Sequence, residues 1–275
     1  MAEEGVQPRA GDSDALPAAL DFLAPSIVPD LIRLGNWTDG GYVVPYSAIA
    51  SADALISCGI NRDWSFEKAF HEVNPSAVIH AYDHTISLEM FRRTFFRGFR
   101  KWLIGKGSQA AVARQLWLWR DFRAFFGGPA RHFEEKIVAG RQSEGEATIE
   151  RTFSRVSGCS RIFLKVDIEG DEYSIIEAIM RHASRTVALA IEFHNTAAVR
   201  NGFCDAVQEL QREFEIVHLH GNNCGAAAAD GLPRFLEMSF IRRSGARLPK
   251  RTELPIPIDR PNSPNRPDFS LRFGL

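Results

Sequence analysis

Five apolar runs in this 275-residue chain end in side chains that bind ions or move protons, and those endings are where chemistry is expected. One run leads from Ala54 into Ser57-Cys58-Gly59-Ile60-Asn61, and the next from Ala77 into Asp83. Asp167 with Glu169 closes the run from Arg161, and Glu192 with His194 closes the run from Val187. His218 with His220 to Asn223 closes the run from Glu215. Histidine is the side chain whose ordinary pKa suits proton abstraction near neutrality. His194 is therefore read as a general base toward an acceptor hydroxyl, with His218 and His220 as rivals. His194 follows Glu192 by two positions, so on an extended strand both point the same way. Asp167 and Glu192 end runs that should be neighbours, and together they offer two hard oxygen ligands to a magnesium ion. An equally simple reading pairs Asp167 with Lys165, two residues earlier on the same strand face.

Asp83 lies 24 positions after Gly59, the position from which a carboxylate accepts hydrogen bonds from both hydroxyls of a ribose. The turn Cys58-Gly59-Ile60-Asn61-Arg62-Asp63 has one glycine and no GxGxxG pattern, so it offers no pyrophosphate cradle. Gly59 leaves room for a ligand to approach the backbone. Together these residues favour an adenosine-type ligand without a pyrophosphate, and S-adenosylmethionine meets both conditions.

Side chains at run endings converge only if the runs form one sheet. Buried β-branched runs alternating with helical stretches read as a doubly wound, mostly parallel sheet covered on both faces. The runs are Ala54–Gly59, Ala77–Asp83, Lys136–Gly140, Arg161–Asp167, Val187–His194, Glu215–His220 and Phe235–Ile241. Ahead of them, Asp39-Gly40-Gly41 is a turn signal and Tyr42-Val43-Val44 a short strand. Ser65 is placed at a helix start, and Asp171 as the cap of the helix carrying Ile175, Ile176 and Ile179. In open sheets of this kind ligands bind beyond the carboxyl ends of the strands, where strand order reverses.

Residues 1–25 are read as a flexible lead-in and 26–275 as a single domain, with 85–133 inserted as a basic, aromatic helical segment. That segment interleaves Arg92, Arg93, Arg97, Arg100 and Lys101 with Phe91, Phe95, Phe96, Phe99 and Trp102. It fits either a packed cap with a solvated basic face or a helical pair lying on an anionic membrane. The proline-bearing tail, 254–268, is expected to run extended along the surface. Acidic and basic residues nearly balance at a net charge of −1, which argues against a general nucleic-acid binder. Four cysteines without CxxC spacing suggest neither a disulfide framework nor a zinc site. The first residues carry no secretory pattern, and no apolar run approaches the ~20 residues that span a bilayer. The expectation is a reduced, cytoplasmic protein acting on a small molecule.

Several blocks of the sequence resemble the FkbM-like class of S-adenosylmethionine methyltransferases. They are Asp39–Val44, Cys58-Gly59-Ile60 with Ser65-Phe66-Glu67, Phe163-Leu164-Lys165-Val166-Asp167-Ile168-Glu169-Gly170 and Ile191–His194. His218–Asn223, Leu236–Phe240 and Asp259–Asn262 extend the likeness, which runs from about residue 33 to 268. The resemblance implies a seven-stranded sheet with one antiparallel strand. It also implies a methyl donor over the first two strands and acceptor chemistry over the fourth to sixth. The expected donor-binding residues are Gly41, Gly59, Ile60, Asp83 and Asp167; the expected catalytic residues are His194, Asp167 and His218. Two features depart from the class, namely the single glycine of the first-strand turn and the long insert. The activity expected is O-methylation of a small hydroxylated acceptor such as a sugar. Two alternatives stay open: a fold relative that binds the nucleoside or a partner without transfer, and a metal-dependent hydrolase. The hydrolase uses the carboxylates but leaves Gly59 and Asp83 without a role.

Overall fold

The computed structural model describes residues 15–275. It opens on a 3-10 helix, Ala18–Leu23, whose Leu20 and Leu23 join Leu16 in the core. These leucines recur at helical spacing and face inward. The segment is tied down by bonds from the Leu16 amide to the Arg272 carbonyl and from the Gln211 side chain to the Phe22 carbonyl, each 2.8 Å. The lead-in expected over 1–25 is therefore packed from Leu16 onward, and residues 1–14 lie outside the described part.

A hairpin follows, β1 (Leu31–Leu34) and β2 (Tyr42–Pro45), closed by the Asp39-Gly40-Gly41 turn, and then α1 (Tyr46–Ala50). The alternating body begins with β3 (Ala54–Cys58), α2 (Ser65–Val73) and β4 (Val78–Tyr82). Two long helices come next, α3 (Leu88–Leu103) and α4 (Gln109–Phe126), and lead into β5 (Ala130–Phe133). A two-residue pair, β6 (Lys136–Ile137) and β7 (Glu146–Ala147), precedes α5 (Ile149–Ser154). The second half alternates β8 (Ile162–Val166), α6 (Glu172–Arg181), β9 (Thr186–Phe193) and α7 (Arg200–Leu210). It ends in the antiparallel β10 (Phe214–Gly221) and β11 (Leu236–Arg242), then β12 (Glu253–Leu254) paired with β13 (Leu271–Arg272).

Seven strands form one sheet in the order β10-β11-β9-β8-β3-β4-β5. All run parallel except β11, which is antiparallel to both neighbours. This is the α/β architecture with one reversed strand that the sequence leads one to expect. One face is covered by the β1–β2 hairpin and by Ile49, Phe66, Phe70, Phe91, Phe122 and Phe125. The other is covered by Phe153, Ile175, Ile179, Phe203, Val207 and Leu210. From β3 the chain winds outward through β4 to β5, then returns to place β8 on the other side of β3. The switch point, and with it the expected crevice, lies between β3 and β8.

Two local expectations change. The third strand is Ala130–Phe133, inside the expected insert; Lys136–Gly140 contributes only β6, in a separate small sheet. Asp171 does not cap α6 with its side chain; its carboxylate pairs with Lys136 at 2.8 Å. Ser65 does open α2, and its amide donates to Asp63 Oδ1 at 2.9 Å.

Candidate functional site

Strand alternation puts polar side chains of four neighbouring strands on one face of the sheet at its carboxyl edge. His220, Glu237 and Glu192 stand in register across β10, β11 and β9. Asp167 extends the row by one strand, because the preceding Val166 pairs with Ile191. Ligand atoms of Asp167, Glu192 and His194 all lie within 4.8 Å of one another. Two residues deeper on the same face come Ser239, Ala190, Lys165 and Ser57.

Glu192 is buried, and Oε1 accepts a 2.8 Å bond from the Asn222 amide. Burial, then the carboxylates of Asp167 and Glu237, hold its pKa well above the usual carboxylate range. Asp167 accepts a 3.1 Å bond from the Tyr42 hydroxyl. His194 is fixed by Glu172, a wholly buried residue in the first turn of α6. Glu172 Oε1 accepts from the His194 backbone amide at 2.5 Å and lies 3.0 Å from Nδ1. A proton on Nδ1 then leaves Nε2 with its lone pair, 3.4 Å from the exposed Glu169. Burial alone would lower the pKa of His194, but Glu172, and after it Asp167 and Glu169, outweigh burial and raise it. Lys165 does not pair with Asp167; its ammonium donates to the Gly59 carbonyl at 2.8 Å. The structure thus gathers Asp167, Glu192 and His194.

His218 is drawn elsewhere. Its Nε2 lies 2.9 Å from Asp259 Oδ1 in the tail, both residues buried, without hydrogen-bond alignment. His220 is held between Glu237 at 3.2 Å and Asp268 at 3.1 Å. The tail adds Asn262, which donates to Glu237 Oε1 at 2.6 Å and to Asp39 Oδ1 at 3.2 Å. Asn222 also reaches Asp39, at 3.3 Å. Glu172 and Asp268 fall outside the blocks singled out in the sequence, and Tyr42, Asp39, Glu237 and Asn262 lie within them without a site role. Glu172 reads as an ordinary first-turn acid and Asp39 as a turn residue; only their distant partners reveal them.

The expected donor-side residues have structural uses. A Cβ on Gly59, at φ +79°, would stand 1.7 Å from the Asp167 carbonyl oxygen, so this glycine lets β3 and β8 approach each other. A Cβ on Gly41 would meet the Asn36 carbonyl oxygen at 2.0 Å, within the hairpin turn. Ile60 and Asn61 donate their amides to Asp83 Oδ2 at 3.0 and 2.7 Å. Asp83 Oδ1 takes the Thr85 amide at 2.7 Å and its hydroxyl at 2.5 Å. Burial works against the charge on Asp83, but these bonds outweigh it and lower the pKa. Four bonds fill the lone-pair sites of a carboxylate.

The sequence matches no family model and no curated protein. Solved structures show remote likeness. A fibrillarin pre-rRNA processing protein of Methanococcus jannaschii aligns at a TM-score of 0.37 and 10% identity, over 71% of this chain and 68% of that one. A precorrin-6y C5,15-methyltransferase of Geobacter metallireducens aligns at 0.36 and 12%, over 72% and 86%. TrmN of Thermus thermophilus aligns at 0.35 and 10%, over 72% and 48%. Likeness at this level carries no functional argument, so function is argued from the site.

Proposed function

We propose that this protein is an S-adenosylmethionine-dependent methyltransferase acting on a small hydroxylated acceptor such as a sugar. The observation that carries the reading is the convergence of Asp167, Glu192 and His194 at the carboxyl edge, beside the switch point between β3 and β8. The single-glycine turn supports a ligand without a pyrophosphate.

Asp83 is the residue for the ribose. Three backbone amides, of Ile60, Asn61 and Thr85, orient its carboxylate, and the exposed Thr85 hydroxyl on Oδ1 is the group that a ribose hydroxyl replaces. Bound there, S-adenosylmethionine would supply a methyl group on an electrophilic sulfonium. His194 Nε2 is the group to take the proton of the acceptor hydroxyl as that oxygen would displace the sulfur from the methyl carbon, the sulfur leaving as a neutral thioether. Glu172 keeps the imidazole in the productive tautomer and stabilises the imidazolium that results. Asp167 and Glu192 suit a divalent cation, because the half-buried Asp167 and the buried Glu192 bring hard oxygen ligands within 4.8 Å of each other. Such an ion would neutralise them and orient an acceptor diol.

Calorimetry with S-adenosylmethionine, its demethylated product and a nicotinamide dinucleotide tests the donor site. The two sulfur nucleosides should bind and the dinucleotide should not, with Asp83→Ala weakening binding about tenfold or more. In turnover assays His194→Ala should lose roughly 10²–10⁴-fold in rate with donor affinity intact. Binding of the dinucleotide alone would remove the reading. Thermal unfolding with and without magnesium checks the cation separately from activity: a rise in midpoint abolished by Glu192→Gln supports it, and no rise removes it.

A further inference from the structure

The α3–α4 hairpin is rooted firmly and ends openly. At its base Trp64 meets Phe91, Phe122 and Phe126 edge-on, with ring centroids 5.4 to 6.0 Å apart. The Trp64 indole donates to Asp121 at 2.8 Å, and Lys68 pairs with the same carboxylate at 2.8 Å. At the other end, residues 101–110 are exposed without interruption. Trp102 is 40% exposed, Leu103 63% and Ile104 66%. Along α3, Phe96 and Ile104 line a surface groove with Arg93, Arg97, Arg100 and Lys101. Stripes of this kind, cationic and apolar at helical spacing, are not needed for packing the hairpin, whose buried residues lie at its base.

Charge is segregated to the same place. Between residues 88 and 126 stand nine arginines and lysines against two acids, in a chain whose net charge is −1. Both acids are engaged, Glu89 with Arg92 and Arg93, and Asp121 with Lys68. Among the described residues no carboxylate pairs with Arg97, Arg100, Lys101 or Lys106. A surface that is cationic along its length and apolar at its tip complements an anionic bilayer: basic side chains meet the headgroups, and the tip enters the acyl boundary. Tryptophan suits the interface between those layers. Single-stranded nucleic acid would want rings to stack on, and the two most exposed large apolar residues of the tip, Leu103 and Ile104, are aliphatic.

We propose that the α3–α4 hairpin docks the protein on an anionic lipid surface, with Trp102, Leu103 and Ile104 inserted and Arg97, Arg100 and Lys101 against the headgroups. The attachment is peripheral, since no helix among the described residues is long and apolar enough to cross a membrane. It does not depend on the reaction assigned above.

The test is flotation of the full chain with vesicles of phosphatidylcholine alone or mixed with phosphatidylserine, at low and high salt. Binding is expected only with phosphatidylserine, weakening as salt rises. The pair Leu103→Ser/Ile104→Ser and the pair Arg97→Glu/Arg100→Glu should each reduce it by about tenfold or more. Thermal midpoints should stay near wild type, because all four side chains are exposed. Absence of binding to the mixed vesicles overturns the proposal. So does full binding by the serine pair alongside gel-shift of a single-stranded RNA, which would make the hairpin a nucleic-acid surface.

Discussion

At the residue scale the site depends on how closely two strand ends approach. Gly59 has a left-handed φ of +79°, and an added Cβ would overlap the Asp167 carbonyl at 1.7 Å. The contact is with backbone, so no side-chain rotation relieves it. Gly59→Ala combines left-handed strain of ~1–2 kcal/mol with overpacking of ~1–3 kcal/mol. Urea denaturation should show a loss of about 2–5 kcal/mol, and calorimetry a weaker affinity for the proposed donor, S-adenosylmethionine. An unchanged midpoint would mean that the loop relaxes freely and that Gly59 sets nothing. The sequence pointed to Gly59 for its freedom of approach, yet the approaching group in the structure is the chain's own backbone. Asp167, Glu192 and His194 were legible because each closes an apolar run with a polar side chain. Glu172 was not, since a helix-first-turn acid is ordinary until His194, 22 residues away, is seen beside it. Asp39 and Asn262 meet across 223 residues, a distance over which no spacing rule operates.

At the scale of elements, strands buried along their length announce themselves and a half-polar edge strand does not. β3, β8 and β9 are wholly or almost wholly buried and read as unbroken apolar runs. β5 pairs on one side only, and its Ala130-Arg131-His132-Phe133 is half polar, so Lys136-Ile137-Val138 competed for the same place. The hairpin before β5 depends on its root. Trp64 is buried at the junction of α2, α3 and α4, where its ring meets Phe91 and Phe122 edge-on and its indole N–H is engaged. Trp64→Ala should cost ~3–5 kcal/mol, the range for deleting a buried large aromatic. Limited proteolysis should then cut first between residues 101 and 110, which are exposed even in the wild type. Retained stability would show that Phe91, Phe122 and Phe126 close over the gap.

For the whole molecule, the tail from 254 to 268 binds the last strands to the first hairpin. Its Asp259, Asn262 and Asp268 hold His218, Glu237 with Asp39, and His220. Asn223 adds bonds to the carbonyls of Ser263, Arg266 and Pro267 at 3.0 to 3.2 Å. The tail expected to run extended along the surface is thus a clasp with buried polar contacts. Its strength should depend on the charge of His220. Burial opposes that charge, but the bonds to Asp268 and Glu237 outweigh burial and push the pKa up from 6.5 to about 10. A folded pKa above the unfolded one means that stabilisation is complete below about pH 6.5 and is lost as pH rises through about 10. Unfolding free energy should therefore fall across that window, by at most about 1.4 kcal/mol per pH unit from this group. His220→Gln should be less stable at pH 6 and show a flatter decline toward pH 10. Urea midpoints across a pH series measure both slopes; parallel curves for the two proteins would free the clasp from His220 and assign its hold to Asn262 and Asn223.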